Sequence, residues 1–189
     1  MNSEELNRDI PHYTSEYTNP NGISSNCNHI LLLKNQKDSF VKYNLFLGSS
    51  LAVRPNPLKE NNITAIVSIL SQEAYKLLKI KDICGYFGLK HLYICMKDDQ
   101  NEQISPYFEE AFKFIDTEIL HGNVLVHCKA GKSRSASIVI GYLIWKFRVG
   151  YENAYNFVLE RRPCICPNIG FQSELKDFAY QQQKMESIE

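Results

Sequence analysis

Residues 122–135 read Gly122-Asn-Val-Leu-Val-His-Cys-Lys-Ala-Gly-Lys-Ser-Arg-Ser135, and the order of their chemistry sets the fold. An apolar run at 124–126 leads into His127 and Cys128. A short loop with one glycine and no bulky side chain follows, then Arg134 and an apolar helix from about Ala136. Strand, tight loop and helix in that order form the unit of an α/β sheet, whose ligands bind at the carboxyl ends of the strands. Five residues separate Cys128 from Arg134, enough for the backbone to curl into a ring of N–H groups above a helix N-terminus. Such a ring binds a tetrahedral oxyanion through aligned amide dipoles. The same field stabilises a thiolate, and an arginine fork can grip two phosphate oxygens at once. Nucleophile, anion cradle and charge clamp within one turn of chain imply phosphate-ester chemistry through a phosphocysteine.

Two other readings of these residues fail on spacing. Gly131-Lys-Ser133 mimics the end of a nucleotide-binding loop, but that motif needs a glycine where Val126 stands. Cys164-x-Cys166 and Cys27-x-His29 suggest zinc, yet one intervening residue is short of the usual two to four. Neither a metal nor a cofactor is expected, and Cys164 and Cys166 read as small loop or buried residues.

The 189 residues, 44% of them hydrophobic and 12% aromatic, suffice for one domain with an ample core. The 21 basic and 21 acidic residues cancel, which argues against a broad nucleic-acid-binding surface. Residues 1–20 are polar and acidic, unlike a signal peptide. The longest apolar stretch, about eight residues at 138–145, falls short of the roughly 17–25 needed to span a membrane and reads as a buried helix. Six cysteines outside a short secreted scaffold suggest a reducing compartment, the cytoplasm or nucleus.

Residues 1–28, rich in Asn, Ser, Thr and Tyr, read as an extension, with residues 30–33 as an extra edge strand or a partner-docking segment. The partition expected is an N-terminal extension over 1–38, a catalytic domain over 39–182 and a tail over 183–189. Strands are predicted near 40–47, 63–69, 90–95 and 123–127. Helices are predicted near 56–61, 71–80, 106–121, 134–148, 151–162 and 170–182. Ser105-Pro106 reads as a capped helix start and Gly122 as that helix's end, while Gly150 separates the next two.

His127-Cys-Lys-Ala-Gly-Lys-Ser-Arg-Ser135 matches the signature of the cysteine-dependent protein tyrosine phosphatases, and Ser133-Arg-Ser-Ala-Ser-Ile-Val-Ile-Gly-Tyr-Leu143 is similar to their dual-specificity branch. Four further blocks resemble the family in the right order: Asn44-Leu-Phe-Leu-Gly-Ser49, residues 63–70, Tyr107-Phe-Glu-Glu-Ala-Phe-Lys-Phe-Ile-Asp116 and Arg161-Arg-Pro-Cys-Ile-Cys-Pro-Asn-Ile-Gly-Phe171. The resemblance implies an α/β fold, a central, mostly parallel sheet of about five strands flanked by helices. It implies hydrolysis of phosphotyrosine and phosphoserine or phosphothreonine in proteins, through a phosphocysteine on Cys128. Backbone N–H groups of Lys129, Ala130, Gly131, Lys132, Ser133 and Arg134 would hold the phosphate, with Arg134 tightening on it in the transition state.

A carboxylic acid must protonate the leaving oxygen. Asp98 and Asp99 are the candidates, and the family's spacing ahead of Tyr107 selects Asp98, with Asp99 the alternative if the loop slips by one. By resemblance, His127 fixes the loop, Ser135 bonds the thiolate or caps the helix, and Asn168 pins the phosphate loop. Glu174-Leu175 stands where the family often has Gln-Leu, a departure expected to touch packing alone. The partners implied are phosphorylated proteins, without nucleic acid or a membrane span; the oligomeric state stays open, with a monomer the expectation. Lys129 and Lys132 suit a phosphoinositide or other lipid phosphate as the alternative substrate, and a non-catalytic phosphate-binding adaptor is the second alternative.

Overall fold

Strand β5 (Asn123–His127) sits mid-sheet because its side chains are buried on both faces, as the near-continuous apolar run of a parallel strand requires. The computed structural model of the protein describes residues 27–34 and 42–186. Five strands form one sheet in the order β1-β2-β5-β3-β4. β1 (Cys27–Lys34) pairs antiparallel with β2 (Lys42–Gly48). β2, β5, β3 (Ile63–Leu70) and β4 (Lys90–Cys95) run parallel.

Alternation along the strands divides the core in two. Val124 and Val126 pack with Leu45, Leu47, Val67 and Ile69 on one face. Leu125 packs with Phe46, Ile66 and Leu70 on the other. The first face is covered by α4 (Phe108–Glu118), α5 (Arg134–Phe147), α6 (Tyr151–Arg161) and α7 (Ile169–Glu186). α1 (Pro55–Glu60), α2 (Gln72–Leu77), α3 (Ile80–Phe87) and a 3₁₀ turn at Ser50–Val53 cover the second. α5 is buried from Arg134 through Ile144, so the helix carrying the signature's second half is anchored on all sides. Among the described residues no helix is long and apolar enough to cross a membrane.

The α/β sheet of five strands flanked by helices is the expected architecture. The predicted helix at 71–80, however, is two helices. Lys79 adopts φ +50°, a left-handed conformation that turns the chain before α3 begins. Residues 105–107 form a 3₁₀ turn without a serine cap. Its leading N–H groups, at Ile104 and Ser105, donate instead to the Glu174 carboxylate of α7 at 3.1 and 2.9 Å. α4 ends at Glu118, ahead of Gly122. Gly122 is small because a Cβ there would overlap the Thr64 side chain, at 2.1 Å from its hydroxyl oxygen. β1 extends the expected edge segment at 30–33 in both directions, and α7 continues to Glu186, past the boundary expected at 182. Residues 1–26, 35–41 and 187–189, which hold most of the proposed extension and the end of the tail, lie outside the described residues.

Candidate active site

The loop between β5 and α5 closes around a sulfur. Cys128 is 1% exposed, and its Sγ accepts hydrogen bonds from the Gly131 N–H at 3.2 Å and the Ser135 hydroxyl at 3.1 Å. Gly131 adopts φ +68°, and a Cβ there would lie 2.6 Å from the Gly48 carbonyl. Only glycine fits that turn, both by conformation and by space. Ser135 bonds the sulfur from the first turn of α5, whereas the residue at the cap position, Ser133, makes no side-chain cap bond. Of the two roles open to Ser135, the structure shows the bond to sulfur.

Arg134 is 6% exposed. Its Nη1 donates to the Met96 carbonyl at 3.0 Å, just past the end of β4. Its Nε faces Asp98 Oδ2 at 3.7 Å, an ion pair outside hydrogen-bonding range, and this buried N–H has no hydrogen-bond partner. An unsatisfied buried donor costs about 1–3 kcal/mol, a cost that an anion seated in the loop would remove.

Asp98 and Asp99 point to different work. Asp98 Oδ1 accepts from the Ser133 hydroxyl at 2.6 Å and from Asn168 Nδ2 at 3.1 Å, so its carboxylate hangs over the loop. Asp99 bonds its own turn, accepting from the backbone and side chain of Asn101 at 2.9 and 3.0 Å. Asn168 joins both sides: its N–H donates to Ser133 Oγ at 3.1 Å, and its Oδ1 accepts from Phe171 N at 3.0 Å. Glu174, expected to matter for packing, makes the polar anchor at Ile104 and Ser105, so the Asp98-bearing loop is held at both ends by the start of α7. Lys129 and Lys132 have exposed side chains at the rim, while their carbonyls accept from Ser50 and Cys166 backbone N–H groups at 3.2 and 2.8 Å.

Behind the cysteine, a row of polar side chains crosses the second face of the sheet. His127 Nδ1 lies 3.3 Å from the Cys128 carbonyl, which can only accept, so Nδ1 carries the proton. Nε2 must then accept, from the Ser68 hydroxyl at 2.7 Å. The Ser68 oxygen in turn accepts from His91 Nε2–H at 3.0 Å. This assignment requires a neutral His127, and burial pushes its pKa down to about 4. Burial lowers His91 as well.

Arg162 completes the frame. Buried to 3% exposure, it donates from Nε to the Gly131 carbonyl at 2.7 Å, from Nη2 to Ala130 at 3.4 Å and from Nη1 to Asn28 of β1. Spacing and motif single out neither Arg162, Ser68 nor His91. Ser68 did carry a signal, as the one polar residue in the apolar run at 65–70, whereas His91 follows Lys90 at the start of β4 and stood out less. Arg162 carried none beyond its place in a basic pair. The structure brings together Cys128, Gly131, Ser133, Arg134, Ser135, His127, Asp98 and Asn168; Cys164 and Cys166 are exposed, and among the described residues no group of three His, Cys, Asp or Glu side chains could hold a metal.

The segment that carries this loop, its arginine and the neighbouring carboxylate is similar to known proteins. The family model described as "Dual specificity phosphatase, catalytic domain" matches residues 45–181. The chain belongs to this family. Dual specificity protein phosphatase 4 of Homo sapiens is 38% identical over 141 residues, covering 72% of this chain and 33% of that protein. "MAP kinase phosphatase with leucine-rich repeats protein 2" of Dictyostelium discoideum is 36% identical over 135 residues, 71% of this chain and 18% of its own length. The chain thus spans about a third or less of these curated relatives. Human DUSP28 superposes with a TM-score of 0.64 at 27% identity, covering 74% of this chain and 90% of that one. The human tyrosine phosphatase-like serine/threonine/tyrosine-interacting protein does so at 0.61 and 33% identity, covering 76% and 91%. The dual specificity phosphatase fold accounts for 45–181, and β1 lies outside the matched segment.

Proposed function

We propose that the protein hydrolyses phosphotyrosine and phosphoserine or phosphothreonine in proteins through a phosphocysteine on Cys128. The observation that carries this reading is the pair of donors on the buried Cys128 sulfur, Gly131 N–H and Ser135 O–H, beneath an arginine whose Nε lacks a hydrogen-bond partner. Both donors favour the thiolate, which attacks phosphorus in line while the loop N–H groups of residues 129–134 and Arg134 hold the equatorial oxygens. Asp98 gives its proton to the leaving oxygen, and the alcohol or phenol departs. The same carboxylate then takes a proton from water, which attacks the phosphocysteine, breaks the S–P bond and releases phosphate and thiolate. Ser135 bonds the leaving sulfur in that second step. A thiolate nucleophile that must stay reduced fits a reducing compartment, cytoplasm or nucleus.

Two observations favour other readings: the exposed Lys129 and Lys132 suit a lipid phosphate, and one structural relative is titled phosphatase-like. One experiment separates all three. Wild-type protein and Cys128→Ser are assayed with chelator present on an aryl phosphate, on phosphotyrosine and phosphothreonine peptides, and on a soluble phosphoinositide. The expected outcome is turnover of aryl phosphate and both peptides, abolished in Cys128→Ser. Binding without turnover would support the adaptor, and preference for the phosphoinositide the lipid enzyme.

A further inference from the structure

A second concave site lies at the β4 edge of the sheet, away from the Cys128 loop. A cavity of about 380 Å³ opens between α2, α3 and β4, walled by Tyr75, Tyr93 and Gln72 and rimmed by Lys76, Lys79 and Lys81, with Asp82 its one carboxylate. The Tyr75 and Tyr93 rings stack at 3.8 Å, giving a flat apolar wall, and Tyr75 also stacks on His91 at 5.7 Å. None of the three lysines is ion-paired among the described residues, whereas Lys113, Lys146 and Lys176 on the other helices pair with Glu109, Asp116 and Glu152. Lys79 occupies the left-handed conformation that precedes α3, an unfavourable place for a residue with a Cβ, and it turns the chain at the rim of this cleft. In a protein of zero formal charge, the three lysines outnumber the carboxylates near them, Asp82 in the lining and Glu73 beside Lys76 and Tyr93, and leave an excess of positive charge around an aromatic floor that attracts acidic ligands.

The cleft is wired to the catalytic loop. Tyr93 Oη donates to the Leu70 carbonyl at 3.3 Å, the same carbonyl accepts from Met96 N at 3.0 Å, and Met96 O receives Arg134 Nη1 at 3.0 Å. Gln72 on the cleft wall follows the end of β3 by two residues, and Met96 follows the end of β4 by one, so the cleft opens beside the carboxyl ends of the strands, the end of the sheet that also carries the Cys128 loop. The geometry points to the cleft as the docking site for an acidic segment flanking the phosphorylated residue of a protein substrate, an inference that rests on the phosphatase reading above. An extended peptide supplies both an acidic side chain for the lysines and apolar backbone and side-chain surface for the tyrosine wall.

The test compares two peptides sharing one phosphotyrosine, one with an Asp/Glu-rich flank and one with a Gln/Ser flank. The proteins are wild type and the triple variants Lys76→Glu/Lys79→Glu/Lys81→Glu and Lys76→Gln/Lys79→Gln/Lys81→Gln. Wild type is expected to favour the acidic peptide on the order of tenfold in kcat/KM, through KM and with steep salt dependence. Both triple variants should lose that preference while hydrolysing an aryl phosphate as wild type does. Equal kcat/KM for the two peptides, or a preference that survives in both variants, overturns the inference; so does a lysine-dependent affinity for phosphoinositide vesicles without peptide preference. Should wild type leave aryl phosphate untouched, the phosphatase reading falls by itself. The docking site is then judged by fluorescence anisotropy of the acidic peptide, where lysine-dependent binding supports it and its absence refutes it.

Discussion

Arg134 meets two demands that a guanidinium alone satisfies together. Nη1 is committed to the Met96 carbonyl while Nε faces Asp98, so one planar group at the start of α5 ties the end of β4 to the Asp98 carboxylate. Arg134→Lys keeps the charge and loses this division of labour. Its kcat on an aryl phosphate should fall on the order of 10²–10³-fold, and a loss of only a few-fold would make the arginine structural. The two aspartates separate by their partners. Asp98→Asn should lose most rate on alkyl phosphates and phosphotyrosine, whose leaving groups need protonation, and least on an activated aryl phosphate. Asp99→Asn disturbs the bonds to Asn101 and should leave that leaving-group dependence intact. The reverse pattern would move the acid to Asp99. Ser68→Ala strands His127 Nε2 and His91 N–H in the sheet, which should cost about 1–3 kcal/mol in a urea titration.

At the scale of elements, the start of α7 is the seat of the Asp98 loop. Asn168 and Glu174 hold its two ends, and a Cβ on Gly170 would lie 2.1 Å from the Gln100 carbonyl. Gly170→Ala must therefore displace the loop while leaving Cys128 and Arg134 in place. Its kinetics should copy Asp98→Asn, with rate lost mainly on poor leaving groups; equal loss on every substrate would show that the damage spreads to the Cys128 loop. This dependence explains which parts of the site could be read in advance. The cysteine, glycine turn and arginine lie within one turn of chain, so local spacing reveals them. The candidate acid was legible only to within one residue, because the Asp98 carboxylate is directed by Ser133 and Asn168, thirty-five and seventy positions later. Glu174 looked like packing for the same reason, since its partners at Ile104 and Ser105 are invisible without the fold. α3 hid because it is eight residues long and begins at a left-handed lysine, although Ile80, Ile83, Cys84 and Phe87 have helical spacing. The strands were the easiest elements to place, since β3 and β5 are buried on both faces and must be apolar almost throughout.

Across the whole molecule, the sheet divides its labour by face. The first face carries the sulfur and its apolar helix, while the second buries the polar row from His91 through Ser68 to His127. β1, outside the family match, reaches the same site through Asn28 and Arg162. Burying a histidine that must stay neutral has a consequence for the stability of the whole fold. The unfolded chain protonates His127 near its ordinary value of 6.5, whereas the folded state does so only at about 4. Between those values the unfolded state binds the proton that the native state refuses, so acid favours unfolding. The stability associated with His127 is fully present above pH 6.5 and is lost progressively as pH falls toward 4. The slope within that window reaches about 1.4 kcal/mol per pH unit for one histidine, and His91, lowered by the same cause, steepens it. Urea titrations of wild type and His127→Gln at pH 7.5, 6, 5.5 and 5 share every carboxylate, so the difference between the two proteins reads His127. Wild type should lose stability through this series, and His127→Gln, with no group to protonate, should show a shallower decline from a lower starting value. A wild-type stability that is flat from pH 6.5 to 5 would mean His127 takes up a proton inside the folded sheet, and the hydrogen-bond direction assigned from Cys128 to His91 would then be wrong.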